Sequence, residues 1–74
     1  MKKHKAMSSV VFEPKWSRSD VKLSLNHPLK YGEVVLYLGD MVDVPGHCAV
    51  ATYDGRVILM IHPEELRKAK ESEL

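Results

Sequence analysis

Asp54-Gly55 is the dipeptide that most constrains this chain. It sits between two apolar runs, "HCAVATY" over 47–53 and "RVILMI" over 56–61. Asp-Gly in such a setting is a strong short-range hairpin signal, because a type I′ turn needs φ > 0 at both central residues. The dipeptide therefore predicts two antiparallel strands and also their register. A two-residue loop pairs Tyr53 with Arg56, Thr52 with Val57, Ala51 with Ile58 and Val50 with Leu59. Further out it pairs Ala49 with Met60, Cys48 with Ile61 and His47 with His62. Side chains alternate across a sheet. Cys48, Val50, Thr52, Val57, Leu59 and Ile61 then form an apolar core face. His47, Ala49, Ala51, Tyr53, Arg56, Ile58, Met60 and His62 share the other.

The rest of the chain reads as further short strands. "SVVFE" is a strand stopped by Pro14, and "PKWSRSD" is turn-like. "DVKLSLN" alternates, with Val21, Leu23 and Leu25 on one side, as a half-buried strand does. "EVVLYL" is apolar on both faces, Val34, Leu36 and Leu38 on one and Val35 and Tyr37 on the other, which suits a strand covered on both sides. "GDMVDVPG" is a loop, with Pro45-Gly46 fitting the centre of a type II turn. Pro63 ends the last strand and suits the first turn of a helix, so "PEELRKAKESEL" is predicted as a short helix from about residue 63. Residues 1–8, basic and polar, are expected to be a disordered tail. Residues 9–74 are expected to form one domain.

Length narrows the choice further. A chain of 74 residues buries only about 60% of its unfolded surface, and domains this small often rely on disulfides, a metal or a partner subunit. Cys48 is the single cysteine, so no disulfide can form within the chain, which fits a reducing compartment. The basic opening lacks the apolar run of a signal peptide. No segment approaches the ~20 apolar residues of a membrane helix. A soluble cytoplasmic protein with no membrane contact is the expectation.

From residue 33 on, the run of strand, loop, Asp-Gly hairpin and "HPEEL" turn resembles the SH3-like small barrels. The resemblance covers about half the chain and lies in the rhythm of the elements. It implies an all-β fold, a small five-stranded antiparallel barrel or curled sheet ending in the short helix. It carries over no residues of a peptide-binding groove, because no aromatic-rich acidic loop is present.

Three groups of residues carry the functional expectations. The first is apolar surface. One layer around one core has too few side chains to cover both faces of the hairpin and of "EVVLYL". Val35, Tyr37, Tyr53, Arg56, Ile58 and Met60 are therefore the candidate partner-binding residues, with Ala49 and Ala51 between them. They make the chain a non-enzymatic interaction module or accessory subunit, binding another protein or a second copy of itself. The alternative covering is the chain's own N-terminal segment with Phe12 and Trp16.

The second group is basic. Residues 1–30 carry seven Lys/Arg against two acids, and residues 31–74 four against eight, so the halves stand at +5 and −4. Lys15, Trp16, Arg18, Lys22 and Lys30 interleave cations with one aromatic, the composition of a nucleic-acid contact. An accessory protein that binds nucleic acid is the alternative function.

The third group is His47 with His62. Opposed strand positions hold Cβ atoms ~4.5–5.5 Å apart, within reach of one shared metal. A zinc site, however, normally wants four ligands, or three plus water. No CxxC, HxxxH or HExxH spacing occurs, and Cys48 points to the other face. A stacked or solvated pair is expected, with no metal or cofactor. An enzyme is not expected. Cys48 and His47 are neighbours on a strand, so their side chains point apart, and the loop acids Asp40 and Asp43 suit turn chemistry.

Overall fold

A computed structural model of the chain describes residues 4–15 and 27–74. The predicted strand "DVKLSLN" lies outside the described residues, as does most of "PKWSRSD". Five strands form one antiparallel sheet: β1 (Ser9–Phe12), β2 (Val34–Asp40), β3 (Cys48–Thr52), β4 (Val57–Ile61) and β5 (Leu66–Lys68). Their order is β4-β3-β2-β1-β5. Among the described residues the edge strands β4 and β5 do not pair with each other, so the sheet they form is open and not a closed barrel.

The predicted C-terminal helix is absent. Pro63–Glu65 and Glu71–Glu73 are single 3-10 turns, and β5 runs between them. Short helices depend on an apolar stripe to dock, and Leu66 and Ala69 alone make a poor one. Extended backbone serves these residues better. It drops Leu66 into the core opposite Phe12 and lets β5 complete the free edge of β1. Glu13 N–H donates to the Glu65 carbonyl at 2.8 Å, and Ala69 N–H to that of Ser9 at 3.1 Å.

One face of the sheet holds the core. Val10 and Phe12 of β1, Val35 and Tyr37 of β2, Cys48 and Val50 of β3, Ile61 and Leu66 are buried together, with Ile58 packed against them. Leu29 closes this cluster, and His27 stacks on Phe12 with ring centroids 4.7 Å apart. Val35 and Tyr37 thus belong to the core and not to a second, open face. The second face of β2 is the one formed by Val34 and Leu36, because residue 35 is the one that alternation places in line with Val10 and Thr52.

The hairpin departs from the expected register near its turn. Ala51 pairs with Val57 and Val50 with Ile58, one residue off the two-residue loop. The loop has three residues. Gly55 N–H donates to the Thr52 carbonyl at 3.2 Å, and Gly55 alone of the three carries positive φ, +92°. That is a type I turn closed by a left-handed glycine, the usual three-residue hairpin. Asp54 stays at negative φ because its carboxylate is held within the loop. It accepts from the Thr52 hydroxyl and from Arg56 Nε (3.0 Å), bonds that hold its carboxyl below the ordinary carboxylate range.

A one-residue slip exchanges the two faces of a strand. Ile58 accordingly turns toward the core, while Val57 and Leu59 point outward, 61% and 55% exposed. A bulge at Leu59–Met60 then restores the outer register, so that Cys48 pairs with Ile61. Met60 takes φ +65° there, a left-handed conformation that costs a non-glycine residue roughly 1–2 kcal/mol. A second bulge on β2 lies between Tyr37 and Gly39, where Gly39 (φ +144°) pairs with Ala49. The two bulges flank Ala49 from both sides, and together they curl the sheet, since a bulge bends its strand and increases local twist.

The ends of the described chain are tied to this sheet. Met7 N–H donates to the Tyr37 carbonyl (2.6 Å), and His4 Nε2 to that of Pro63 (3.2 Å). Arg67 clamps the C-terminus through a fork on Glu73 (2.8 and 2.7 Å) and an Nε–H bond to Glu13 (2.8 Å). The Arg67 fork, with the Lys70 N–H, holds the Glu73 carboxyl at about 2, against an ordinary 4.5. A lowered folded-state value stabilises the fold above the ordinary one and loses that stabilisation as pH falls toward 2. Glu73→Gln is therefore expected to melt below the parent at neutral pH, the gap closing between pH 4.5 and 2. A gap that stays constant over that window would contradict the clamp.

Candidate functional site

The second face of the sheet is built by alternation alone. Across it, Leu36 of β2 faces Ala51 of β3, and Ala51 faces Val57 of β4, giving an uncharged row three strands wide. Val34 and Ala49 flank the row, and Leu59 extends it along β4. At the β1 side, Val11 is covered, and Arg67 lies opposite it. Between this covered end and the open row lies a cavity of about 470 Å³ lined by Ser9, Val34, Tyr53, Glu73 and Leu74. Tyr53 is 70% exposed, and its hydroxyl is 3.0 Å from Ser9 Oγ.

The candidate partner residues divide on this geometry. Val35 and Tyr37 are in the core, where the Tyr37 hydroxyl donates to Asp40 and burial pushes its pKa well above the phenol range. Ile58 is half-buried against the core. Tyr53 and Met60 are exposed at the two ends of the hairpin. Arg56 is exposed but engaged, reaching Asp54, the Pro28 carbonyl at 2.8 Å and Glu33 at 3.6 Å. Val57 and Leu59, assigned to the core by the two-residue loop, take outward positions instead. The pattern Thr52-x-Asp54-Gly55 carried a usable signal for this, since Asp and Gly at the third and fourth positions also suit a type I turn.

Lys15 and Lys30 of the basic group are exposed, and Lys30 N–H donates to Glu33 Oε1 at 2.9 Å. Trp16, Arg18 and Lys22 lie outside the described residues.

His47 and His62 are neighbours, with ring centroids 4.4 Å apart and planes tilted by 44°. His47 Nδ1–H donates to the Pro45 carbonyl at 3.0 Å, and His62 Nδ1 faces Glu64 Oε1 at 3.8 Å. A cavity of about 390 Å³, lined by Lys15, His62, Glu64 and Glu65, opens beside His62. Glu65 Oε2 is buried with no hydrogen-bond partner among the described residues. Among those residues no three histidine, cysteine or carboxylate side chains gather as a metal centre.

Cys48 is buried, and desolvation followed by the charge of Asp40 pushes its thiol up to about 11. At neutral pH it is a protonated core group and no nucleophile. No helix of the described residues is long and apolar enough to cross a membrane. No family model, no curated protein and no solved structure matches this chain, so its function is read from this geometry.

Proposed function

We propose that this chain is a small, non-enzymatic interaction module that self-associates through the outer face of β2, β3 and β4. The observation that carries the reading is the apolar row Leu36–Ala51–Val57, extended by the exposed Leu59 and Met60. Apolar surface gathered on one side and rimmed by charge is the composition of a protein-contact site. The occupant is a second copy. The row holds no charged side chain, so two copies related by a two-fold axis bring no like charges together, and two-fold dimers are the commonest soluble assembly. Among the described residues strand β4 is also an edge of the sheet, where a partner strand can add.

The strand order also supports an SH3-like reading of the fold. β5-β1-β2-β3-β4, with a 3-10 turn just before β5, keeps the strand sequence of such barrels in an opened form. That likeness bears on architecture and leaves the partner undecided.

Light scattering on a size-exclusion column tests the function. The parent is expected to move from monomer toward dimer as concentration rises. Leu59→Asp is expected to stay folded and to weaken association by more than about 1 kcal/mol, roughly fivefold in Kd, as at an interface centre. A parent that is monomeric at every concentration, or a folded Leu59→Asp that associates as the parent does, would sink the proposal.

A further inference from the structure

We propose that His47 and His62 form a two-imidazole site for a borderline divalent cation of the zinc class. The pair lies at one end of the outer face, on the far side of the bulge, and the inference does not rest on self-association. Three observations meet at this pair.

The first is register. If the pairing of Val50 with Ile58 continued unbroken, His47 would face Ile61, and His62 would fall on the opposite side of the sheet. The bulge at Leu59–Met60 brings His62 back across from His47, at a ring separation of 4.4 Å. It does so by holding Met60, a non-glycine residue, at φ +65°. Bulges that re-aim a side chain gather beside functional sites, and a strained backbone position points the same way.

The second is the orientation of both rings. His47 Nδ1–H is taken by the Pro45 carbonyl, and His62 Nδ1 faces the Glu64 carboxylate. Metal-binding histidines nearly always turn one ring nitrogen to a carbonyl or carboxylate, which fixes the tautomer and raises the basicity of the other. Here His47 makes that bond, and the Glu64 carboxylate stands 3.8 Å from His62 Nδ1, a charge beside the ring beyond hydrogen-bond length.

The third is space. The 390 Å³ cavity beside His62 is walled by Glu64 and Glu65 as well as Lys15, an acidic balance that suits a cation and leaves its remaining coordination positions to water. Imidazole suits zinc, copper and nickel better than magnesium or calcium, so the class of cation follows from the donors. With two protein ligands the site lacks the closed four-ligand shell of a structural zinc centre. It is an exchangeable site.

The test is titration of the full chain with Zn²⁺ alone, followed by calorimetry, thermal unfolding and the imidazole resonances in NMR spectra. The expected result is one equivalent bound, a raised melting temperature, and shifts on His47 and His62 together. Affinity should fall by roughly tenfold or more in His47→Ala and in His62→Ala, and by a smaller factor in Glu64→Gln, which removes only an orienting charge. No response of either imidazole at millimolar Zn²⁺ would overturn the proposal. So would binding that survives both histidine substitutions. The parent's own imidazole signals decide the matter even if a variant folds poorly.

Discussion

Phe12→Ala is expected to leave most of the chain unfolded at room temperature. Phe12 is fully buried, stacked on His27, and lies where β1 meets both β5 and the closing segment around Leu29. Truncating a buried phenylalanine removes its transfer energy and leaves a cavity, together costing roughly 3–5 kcal/mol. A core this small supplies roughly 3–5 kcal/mol in all. The two magnitudes are comparable, so one substitution consumes the whole margin. The neighbours cannot easily collapse into the gap, because Val10 is held by strand pairing on both sides and Leu66 by its pairing with Phe12. Far-ultraviolet circular dichroism and amide dispersion in NMR spectra read the outcome. A variant that keeps native dispersion would mean that β1 is not the centre of the core.

Ile58→Asp and Leu59→Asp separate the observed hairpin from the one that a two-residue Asp-Gly loop would form. In the three-residue loop, Ile58 packs against the core opposite Val50, and its replacement places an unpaired carboxylate at an apolar boundary. That loses the side chain's burial and adds a desolvation penalty, together about 3 kcal/mol or more. Leu59 points outward, so in dilute solution its replacement is expected to change stability by no more than about 0.5 kcal/mol. A two-residue loop would reverse the order, with Leu59→Asp the destructive change. Urea midpoints of the two variants decide it, and Leu59→Asp unfolding first would overturn the register described here.

Four of the five strands were legible for reasons internal to each segment. "SVVFE", "EVVLYL", "HCAVATY" and "RVILMI" are short, apolar and bounded by Pro, Gly or Asp-Gly, and local propensity agrees with the sheet they enter. The fifth strand was not legible. Leu66–Lys68 is three residues long, and it is extended only because β1 offers a free edge and the core has room for Leu66. Pro63 and the charge gradient that follow a helix rule locally were overruled by that distant partner.

The outer face shows the same division. Asp54-Gly55 announced a hairpin, and the shortness of the chain left its second face either open or covered by the chain's own N-terminal segment. Which residues lie on that surface depended on one residue of loop length. That in turn depended on Thr52, Asp54 and Arg56 bonding within the turn. The histidine pair was expected from the symmetry of the hairpin, and the rings do adjoin, although the inner register slips and a bulge corrects it. Sequence alone determined that the chain is built of short antiparallel strands around a hairpin with its histidines at the open end, because alternation and turn chemistry are local. Only the tertiary structure decided which faces are buried, where the bulges fall and how the C-terminus is used, because register and edge pairing are settled between segments far apart in the chain.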